Sequence, residues 1–248
     1  MKVVVIGGTG LIGSKVVSRL GEQGHEAVAA APNTGVNTLT GEGLAEALDG
    51  ADVVVDVSNS PSFDDDPAMR FFRTATTNLL QQAEKANVKH YVALSVVGTD
   101  QLLDSGYFRA KQAQEDMIAG SGLPYSIVHA TQFFEFIRGI ADFSTVDGEV
   151  HLPPVLFRPM AAEDVAAGVA RVATGAPLNA IREVAGPEQS RLDEMVRTAL
   201  AGIGDPRPVV TDPQAPYFGV QVGEETLVPG TDAELGTLTY AEWAAQQR

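Results

Sequence analysis

The 248-residue sequence has no cysteine, which excludes disulfides, thiolate metal sites and a cysteine nucleophile. Positive charge is scarce as well: 17 Lys and Arg stand against 32 Asp and Glu, a net charge of −15. The basic residues are dispersed, so the clustered surface that neutralises nucleic-acid phosphates is missing and no nucleic-acid partner is expected. The acidic excess reads as a solvated, self-repelling surface. The four histidines His25, His90, His129 and His151 show no metal-ligand spacing, and no metal is expected. No apolar run reaches membrane-spanning length, and the apolar start Met1 to Ile6 breaks at Gly7, too early for a signal segment. Internal repeats and low-complexity tracts are also missing. The expectation is a cytoplasmic α/β protein with no membrane partner, large enough for one substantial core and a smaller appended lobe.

What is present begins at the first residue. Val3, Val4, Val5 and Ile6 make a β-branched run suited to a parallel strand buried on both faces, followed by Gly7-Gly-Thr-Gly-Leu-Ile-Gly13 and an amphipathic helix, Leu11 to Leu20. At a strand-to-helix turn, one glycine permits the tight bend, one lets backbone approach a pyrophosphate, and one allows close helix-on-strand packing. The phosphates then sit on the free N–H groups and positive end of the helix. Gly7, Thr9, Gly10, Leu11, Ile12 and Gly13 are therefore cofactor-binding candidates, and the flanking strand and helix are the context that gives this pattern weight.

Downstream, apolar and amphipathic segments alternate: strands at 26–31, 52–57, 90–97 and 125–130, and helices at 41–48, 67–86 and 106–119. Strands separated by helices, with no hairpin signals, predict a Rossmann-like, doubly wound parallel sheet covered on both faces. This pattern assigns 1–130 to a dinucleotide-binding domain. Residues 131–248 read as a smaller α/β substrate lobe interleaved with it, holding helices at 162–173 and 192–201 and a strand at 182–185. The proline-rich stretch 204–230 reads as an ordered cover or a mobile flap. The run Asp64, Asp65, Asp66 reads as a solvated loop.

Ser95 ends one of the sheet strands, and Tyr107-Phe-Arg-Ala-Lys111 places a phenol and an ammonium at i and i+4 on the next helix. Carboxyl ends of parallel strands line the ligand crevice, so these three can face a cofactor together. Hydride delivery to a carbonyl carbon leaves an alkoxide that needs a proton. Tyr107 is positioned to give it, Lys111 to lower the phenol's pKa and bind ribose hydroxyls, and Ser95 to hold the carbonyl oxygen. A surface Tyr–Lys pair at this spacing is common. It is the serine and the glycine turn that turn the reading toward catalysis.

Gly7-Gly-Thr-Gly-Leu-Ile-Gly13, Ala93-Leu-Ser-Val-Val-Gly98, Tyr107-x-x-x-Lys111, Gly122-Leu-Pro-Tyr-Ser-Ile-Val128 and Glu183-Val-Ala-Gly-Pro187 together resemble the atypical, NmrA-like short-chain dehydrogenase/reductases over most of the chain. The resemblance implies an NAD(P)-binding Rossmann-like domain, a C-terminal substrate lobe and a Ser–Tyr–Lys catalytic set mapping onto Ser95, Tyr107 and Lys111. The family's catalytic asparagine is replaced by Phe72 when Asn78-Leu79-Leu80 is aligned. The end of the second strand, Ala30-Ala-Pro-Asn-Thr-Gly-Val36, carries neither the acid that selects NAD nor an arginine for a 2′-phosphate. Asn33 and Thr34 can hydrogen-bond a phosphate, which favours NADP over NAD. Ser58 and Asn59 follow the third strand and border the cofactor, or form an Asx-type turn. Phe133 and Phe134 are candidates for an apolar substrate wall, with Tyr217 and Phe218 above it, while His129 reads as a satisfied core histidine. The functional expectation is an NAD(P)H-dependent reductase of a carbonyl or quinone-like small molecule. The alternatives are a redox sensor without turnover and an isomerising relative that recycles its cofactor. Monomer and homodimer stay open.

Overall fold

The structure is a computed structural model that describes residues 1–247. In chain order its elements are β1 (Lys2–Ile6), α1 (Leu11–Glu22), β2 (Glu26–Ala30), α2 (Leu44–Leu48), β3 (Val53–Asp56), α3 (Asp65–Lys85), β4 (His90–Val96), α4 (Gly106–Ala119), β5 (Tyr125–Ala130) and α5 (Ile137–Phe143). Then come β6 (Thr145–Val146), β7 (Glu149–Leu152), β8 (Leu156–Phe157), α6 (Ala162–Thr174), β9 (Ile181–Ala185), β10 (Ser190–Arg191), α7 (Leu192–Gly202), β11 (Val209–Thr211), β12 (Glu234–Leu235) and α8 (Tyr240–Gln246).

Seven strands form the central sheet in the order β12-β9-β5-β4-β3-β1-β2, and every pairing in it is parallel. Strand periodicity divides β1 between two layers: Val3 and Val5 pack against Ile12, Val16 and Leu20 of α1 and against α6, while Val4 and Ile6 pack with α2, α3 and α4. Both faces are thus closed by helices, which is why the strands read as continuous apolar runs. The reversal of strand order falls between β1 and β3, where the crevice of a doubly wound sheet opens.

The segment expected at 182–185 in the smaller lobe is instead β9, a sixth strand of the main sheet, with Ile127 paired to Ile181 and Ala130 to Val184. It covers the open edge of β5, and the two residues of β12 cover it in turn. A second correction concerns the aspartate run. Asp65 and Asp66 lie inside the first turn of α3, where carboxylates favour the helix's positive end, and Asp65 pairs with Arg109 at 2.7 Å.

Beyond β5, a separate core gathers Phe134, Ile137, Leu152, Phe157, Leu192, Val196 and Leu200 under the small ladders β6–β7–β11 and β8–β10. The stretch 204–230 is packed into it: Tyr217, Val220 and Leu227 are buried there. At Gly98, which follows β4 with φ +78°, any Cβ would lie 2.5 Å from the Thr226 carbonyl oxygen. The tail is therefore seated directly against the loop that leads from Ser95 to Tyr107. Among the described residues no helix is long and apolar enough to cross a membrane.

Candidate active site

The glycine turn is built by exclusion. Gly7 takes φ +76°, which a side chain resists, and packs at van der Waals limit on the Ser58 backbone. A Cβ on Gly13 would run into the Gly7 carbonyl, and one on Gly8 would sit 2.6 Å from Val5 O. Gly10, by contrast, meets only Gly7 O at 3.2 Å and is exposed. It starts α1 with no side-chain cap, so the helix's first N–H groups face outward at the mouth of the crevice. Leu11 is exposed there and Ile12 is buried in the core beneath. The cradle fits a pyrophosphate. Thr9 Oγ1 donates to Asn33 Oδ1 at 3.0 Å, joining the turn to the loop after β2. Thr34 closes its own turn, bonding Ala29 O, Ala31 O and Ala31 N–H. Of the two residues expected to meet a 2′-phosphate, Asn33 alone points across the crevice mouth.

Tyr107, at the start of α4, is half-buried and donates to Asn59 Oδ1 at 3.0 Å, on the loop after β3. Its ring is enclosed by Phe63 at 5.0 Å, Phe108 at 5.4 Å and Phe72 at 5.9 Å. Burial pushes its pKa well above the ordinary value, with the Asn59 contact a smaller opposing effect. This corrects the expectation that Lys111 lowers it.

Lys111 does not reach the phenol. Its Nζ donates to Leu94 O at 2.9 Å and to Gln114 Oε1, and lies 4.6 Å from the centre of the Phe72 ring. Desolvation lowers its pKa to about 8, against the opposing pull of Asp56 and Glu115. Helical spacing brought the two stems together, but the ammonium followed buried acceptors inward. Phe72, standing where the family's asparagine is aligned, is part of that ammonium's cage.

Asp56, at the end of β3, was not singled out in the sequence, and it is the hub of this interior. Its Oδ1 accepts from Ser58 N at 3.0 Å and Ser58 Oγ at 2.6 Å, and its Oδ2 from Tyr91 Oη at 3.2 Å and Gln114 Nε2 at 3.1 Å. Four donors on one buried carboxylate hold β3, β4 and α4 together. A lone acid closing the run Val53-Val54-Val55 was the available signal. Ser58 is consumed by this hub, which is the Asx-type reading of that turn. Asn59 remains exposed at the crevice.

Ser95 is buried and donates to Glu115 Oε1, not toward Tyr107. Its neighbour in register is His129, whose Nε2 lies 3.0 Å from the same oxygen without completing a hydrogen bond. The histidine is in the core, as expected, but it is not satisfied. The serine's expected role as a carbonyl holder is not supported by where its hydroxyl points.

The substrate-wall candidates separate. Phe134 is a core residue, packed on Tyr240 at 5.3 Å and Trp243 at 5.6 Å, so it faces no ligand. Phe133 is half-buried and stacks on exposed Phe136 at 5.4 Å. Tyr217 is buried against Phe218 at 4.8 Å, and Phe218 spans Phe143 at 4.7 Å and Phe63 at 6.4 Å. The ring of Phe63 in turn rests on Tyr107. An aromatic belt therefore runs from the tail across the mouth to the phenol. A polar depression of about 300 Å³ lined by Ser14, Lys15, Ser18, Arg19, Glu22 and Glu163 shares none of these residues. Among the described residues no group of three or more His, Asp or Glu is placed to hold a metal.

Parallel sheet and glycine cradle define a dinucleotide-binding protein with a Rossmann-like fold. Residues 7–176 match the model of the NAD(P)H-binding family, and the chain belongs to that family. It is 26% identical over 153 residues to the photosystem II assembly factor Ycf39 of Synechocystis sp., a match covering 56% of this chain and 47% of that protein. The Ycf39 of Trieres chinensis gives 26% over 149 residues, with 54% and 47% covered. The chain thus spans about half the length of the curated relatives it matches. In structure it is similar to the UDP-glucose 4-epimerase of Thermus thermophilus, solved with NAD, at TM-score 0.68 and 19% identity, covering 100% of this chain and 93% of that one. It is similar also to a double mutant of DesIV, the dTDP-glucose 4,6-dehydratase of Streptomyces venezuelae solved with NAD, at TM-score 0.73 and 18% identity, covering 98% and 95%. These likenesses carry the fold.

Proposed function

We propose that the protein is an NAD(P)H-dependent reductase of a carbonyl or quinone-like small molecule, with Tyr107 as the proton donor. The observation that carries this reading is the phenol itself: protonated, fixed by Asn59, and set in an aromatic enclosure on the crevice side of α4. The pyrophosphate of the cofactor would be held by Gly7, Gly10, Gly13 and the N–H groups of Leu11 and Ile12, with Thr9 and Asn33 at the adenosine side and Asn59 near the ribose. The bound dinucleotide supplies a hydride. NADP is preferred because the end of β2 offers no carboxylate to repel a 2′-phosphate, and Asn33 faces it.

The high pKa of Tyr107 does not disqualify it. The alkoxide left by hydride delivery to an aldehyde or ketone is far more basic than a phenolate, so there the phenol gives up its proton downhill; a quinone leaves a much weaker base that asks less of a proton donor. Lys111 acts from below, fixing α4 to β4 through Leu94 O, and its ammonium stays in the Asp56–Gln114 interior. In this reading residues 1–130 bind the cofactor and 131–248 shape the substrate's place.

Initial rates of NADPH and NADH oxidation with quinones, aldehydes and ketones test the proposal, with Tyr107→Phe beside the parent. Turnover is expected to fall roughly 100- to 10,000-fold in the variant while dinucleotide affinity persists. A second reading, a cofactor-binding regulator without turnover, draws on Lys111 and Ser95 being turned away from the phenol. Tight NADPH binding with no oxidation by any acceptor would establish that one and end the first.

A further inference from the structure

Gln132 is the residue that the reduction chemistry above leaves unexplained. It lies two positions past β5, and its backbone is pinned: Met160 N–H donates to Gln132 O at 2.8 Å, and the adjoining Phe134 N–H donates to Met160 O at 2.9 Å. The side chain is nine-tenths buried, yet neither its amide oxygen nor its nitrogen has a hydrogen-bond partner. Such a group costs roughly 1–3 kcal/mol per unpaired atom and is rare in folded proteins. The buried hydroxyl of Tyr217 is a neighbour of the amide, close enough to act on it without completing a hydrogen bond. That phenol's pKa is raised by burial, with Gln132 and then Tyr107 the neighbouring groups that act on it. Tyr217 is linked to Tyr107 through the rings of Phe218 and Phe63, with Phe143 against Phe218, and the amide of Gln132 adjoins the Tyr217 end of that row.

We propose that Gln132 is a substrate-positioning residue whose amide, with the Tyr217 hydroxyl, orients an uncharged, planar aromatic carbonyl compound beside Tyr107. Resting on the reductase reading, it names the shape and charge of the acceptor. The belt supplies ring faces for a flat aromatic body, which favours offset or edge contacts with them. The amide supplies both a donor and an acceptor and no charge. In the smaller lobe four arginines are engaged by the chain's own oxygens, while Arg138 on α5 is exposed: Arg158 donates to Gly186 O and Pro187 O, Arg191 and Arg197 hold Asp193, and Arg207 holds Asp205 and Asp142. An uncharged acceptor asks nothing of these arginines, whereas a charged one would have to draw a cation from the chain's own carboxylates or from exposed Arg138.

The test is equilibrium binding to the full chain loaded with NADP⁺, so that no turnover intervenes. The probes are 1,4-naphthoquinone and 1-naphthoate, the same bicycle without and with a charge. The chain has no thiol to form quinone adducts. The parent is expected to bind naphthoquinone at least about ten times more tightly than naphthoate. Gln132→Leu is expected to weaken naphthoquinone at least tenfold, leave NADP⁺ affinity unchanged, and hold or raise Tm, because an apolar isostere removes an unpaired amide. The proposal is overturned if the parent does not bind naphthoquinone, if naphthoate binds as well, or if the variant binds naphthoquinone like the parent. It is overturned also if Tm and NADP⁺ affinity fall together with it, the mark of a structural role. Naphthoquinone bound through Gln132 but never reduced by NADPH would instead sink the reductase reading and leave the positioning role standing. Turnover lost in Tyr107→Phe, with kcat and KM untouched in Gln132→Leu, would do the reverse.

Discussion

The two ends of the crevice are made of different material. At the cofactor end the working surface is backbone: N–H groups of α1, and glycines packed so closely that Gly8 and Gly13 have no room for a methyl group. At the proposed substrate end it is side chain: Tyr107, Tyr217, Gln132 and a belt of phenylalanines, Phe63, Phe143 and Phe218, drawn from three separate segments. Backbone recognition binds what every dinucleotide shares, so it tolerates no local change and asks for little from the rest of the chain. Side-chain recognition distinguishes one acceptor from another, and each of its parts is replaceable without disturbing the sheet. The cradle is thus where the family is written and the belt where the individual is.

That contrast can be broken most severely at Gly13. Gly13→Ala drives a Cβ into the Gly7 carbonyl, and backbone there cannot yield without moving β1. The expected outcome is a loss of about 3 kcal/mol in urea unfolding and a fall of roughly 100-fold in NADPH affinity by fluorescence titration. Wild-type affinity in that variant would show that the cradle is not made of excluded volume.

A smaller effect sharpens the boundary between the two ends, at Lys111. Its pKa is about 8 in the fold and about 10.4 in an unfolded chain. The unfolded state therefore binds more protons between those values, and stability attributable to this group rises with pH across that window. Below about pH 8 the buried charge costs on the order of 3 kcal/mol, relieved as pH approaches 10.4. Denaturant unfolding of the parent and Lys111→Met at pH 7.5 and 10 reads it: the parent should gain relative to the variant. An unchanged difference would place the ammonium in a less desolvated setting.

The smallest expected effect is at Gly10, whose Cβ would meet a single oxygen at 3.2 Å. Gly10→Ala should cost within about 1 kcal/mol of stability while still weakening NADPH, since its added methyl group occupies the open approach to the helix end. Equal losses in folding and binding would contradict the difference drawn between Gly10 and Gly13.

The sheet and the cradle were legible because their signals are local. A β-branched run, a glycine triplet and helical periodicity each lie within some dozen residues, and backbone geometry follows from them. The strand at 181–185 was seen but misplaced, since nothing nearby says that β5 lacks a neighbour. Side-chain destinations were less legible still. The i, i+4 rule located Lys111 beside Tyr107, but the ammonium's partners are Leu94 O and Gln114, with Asp56 linked through Gln114 Nε2 across 58 positions. The hydroxyl of Ser95 turned to Glu115, twenty positions on. Phe134 read as a wall because its neighbours are aromatic, and it became core because Tyr240 and Trp243 return to cover it. Pairings set by the folded path leave no periodicity to find.

Trp243 is the chain's single tryptophan, and its indole N–H donates to Glu135 Oε1 at 3.1 Å. The same carboxylate accepts the Ala162 N–H at the start of α6, so one ring sits where α8, the segment after β5 and α6 are clamped together. Red-edge excitation consequently lights a single spot in the molecule. Its emission reports the fastening of the C-terminal helix, and because a reduced nicotinamide absorbs where an indole emits, the same light would register a bound cofactor as well, without any label.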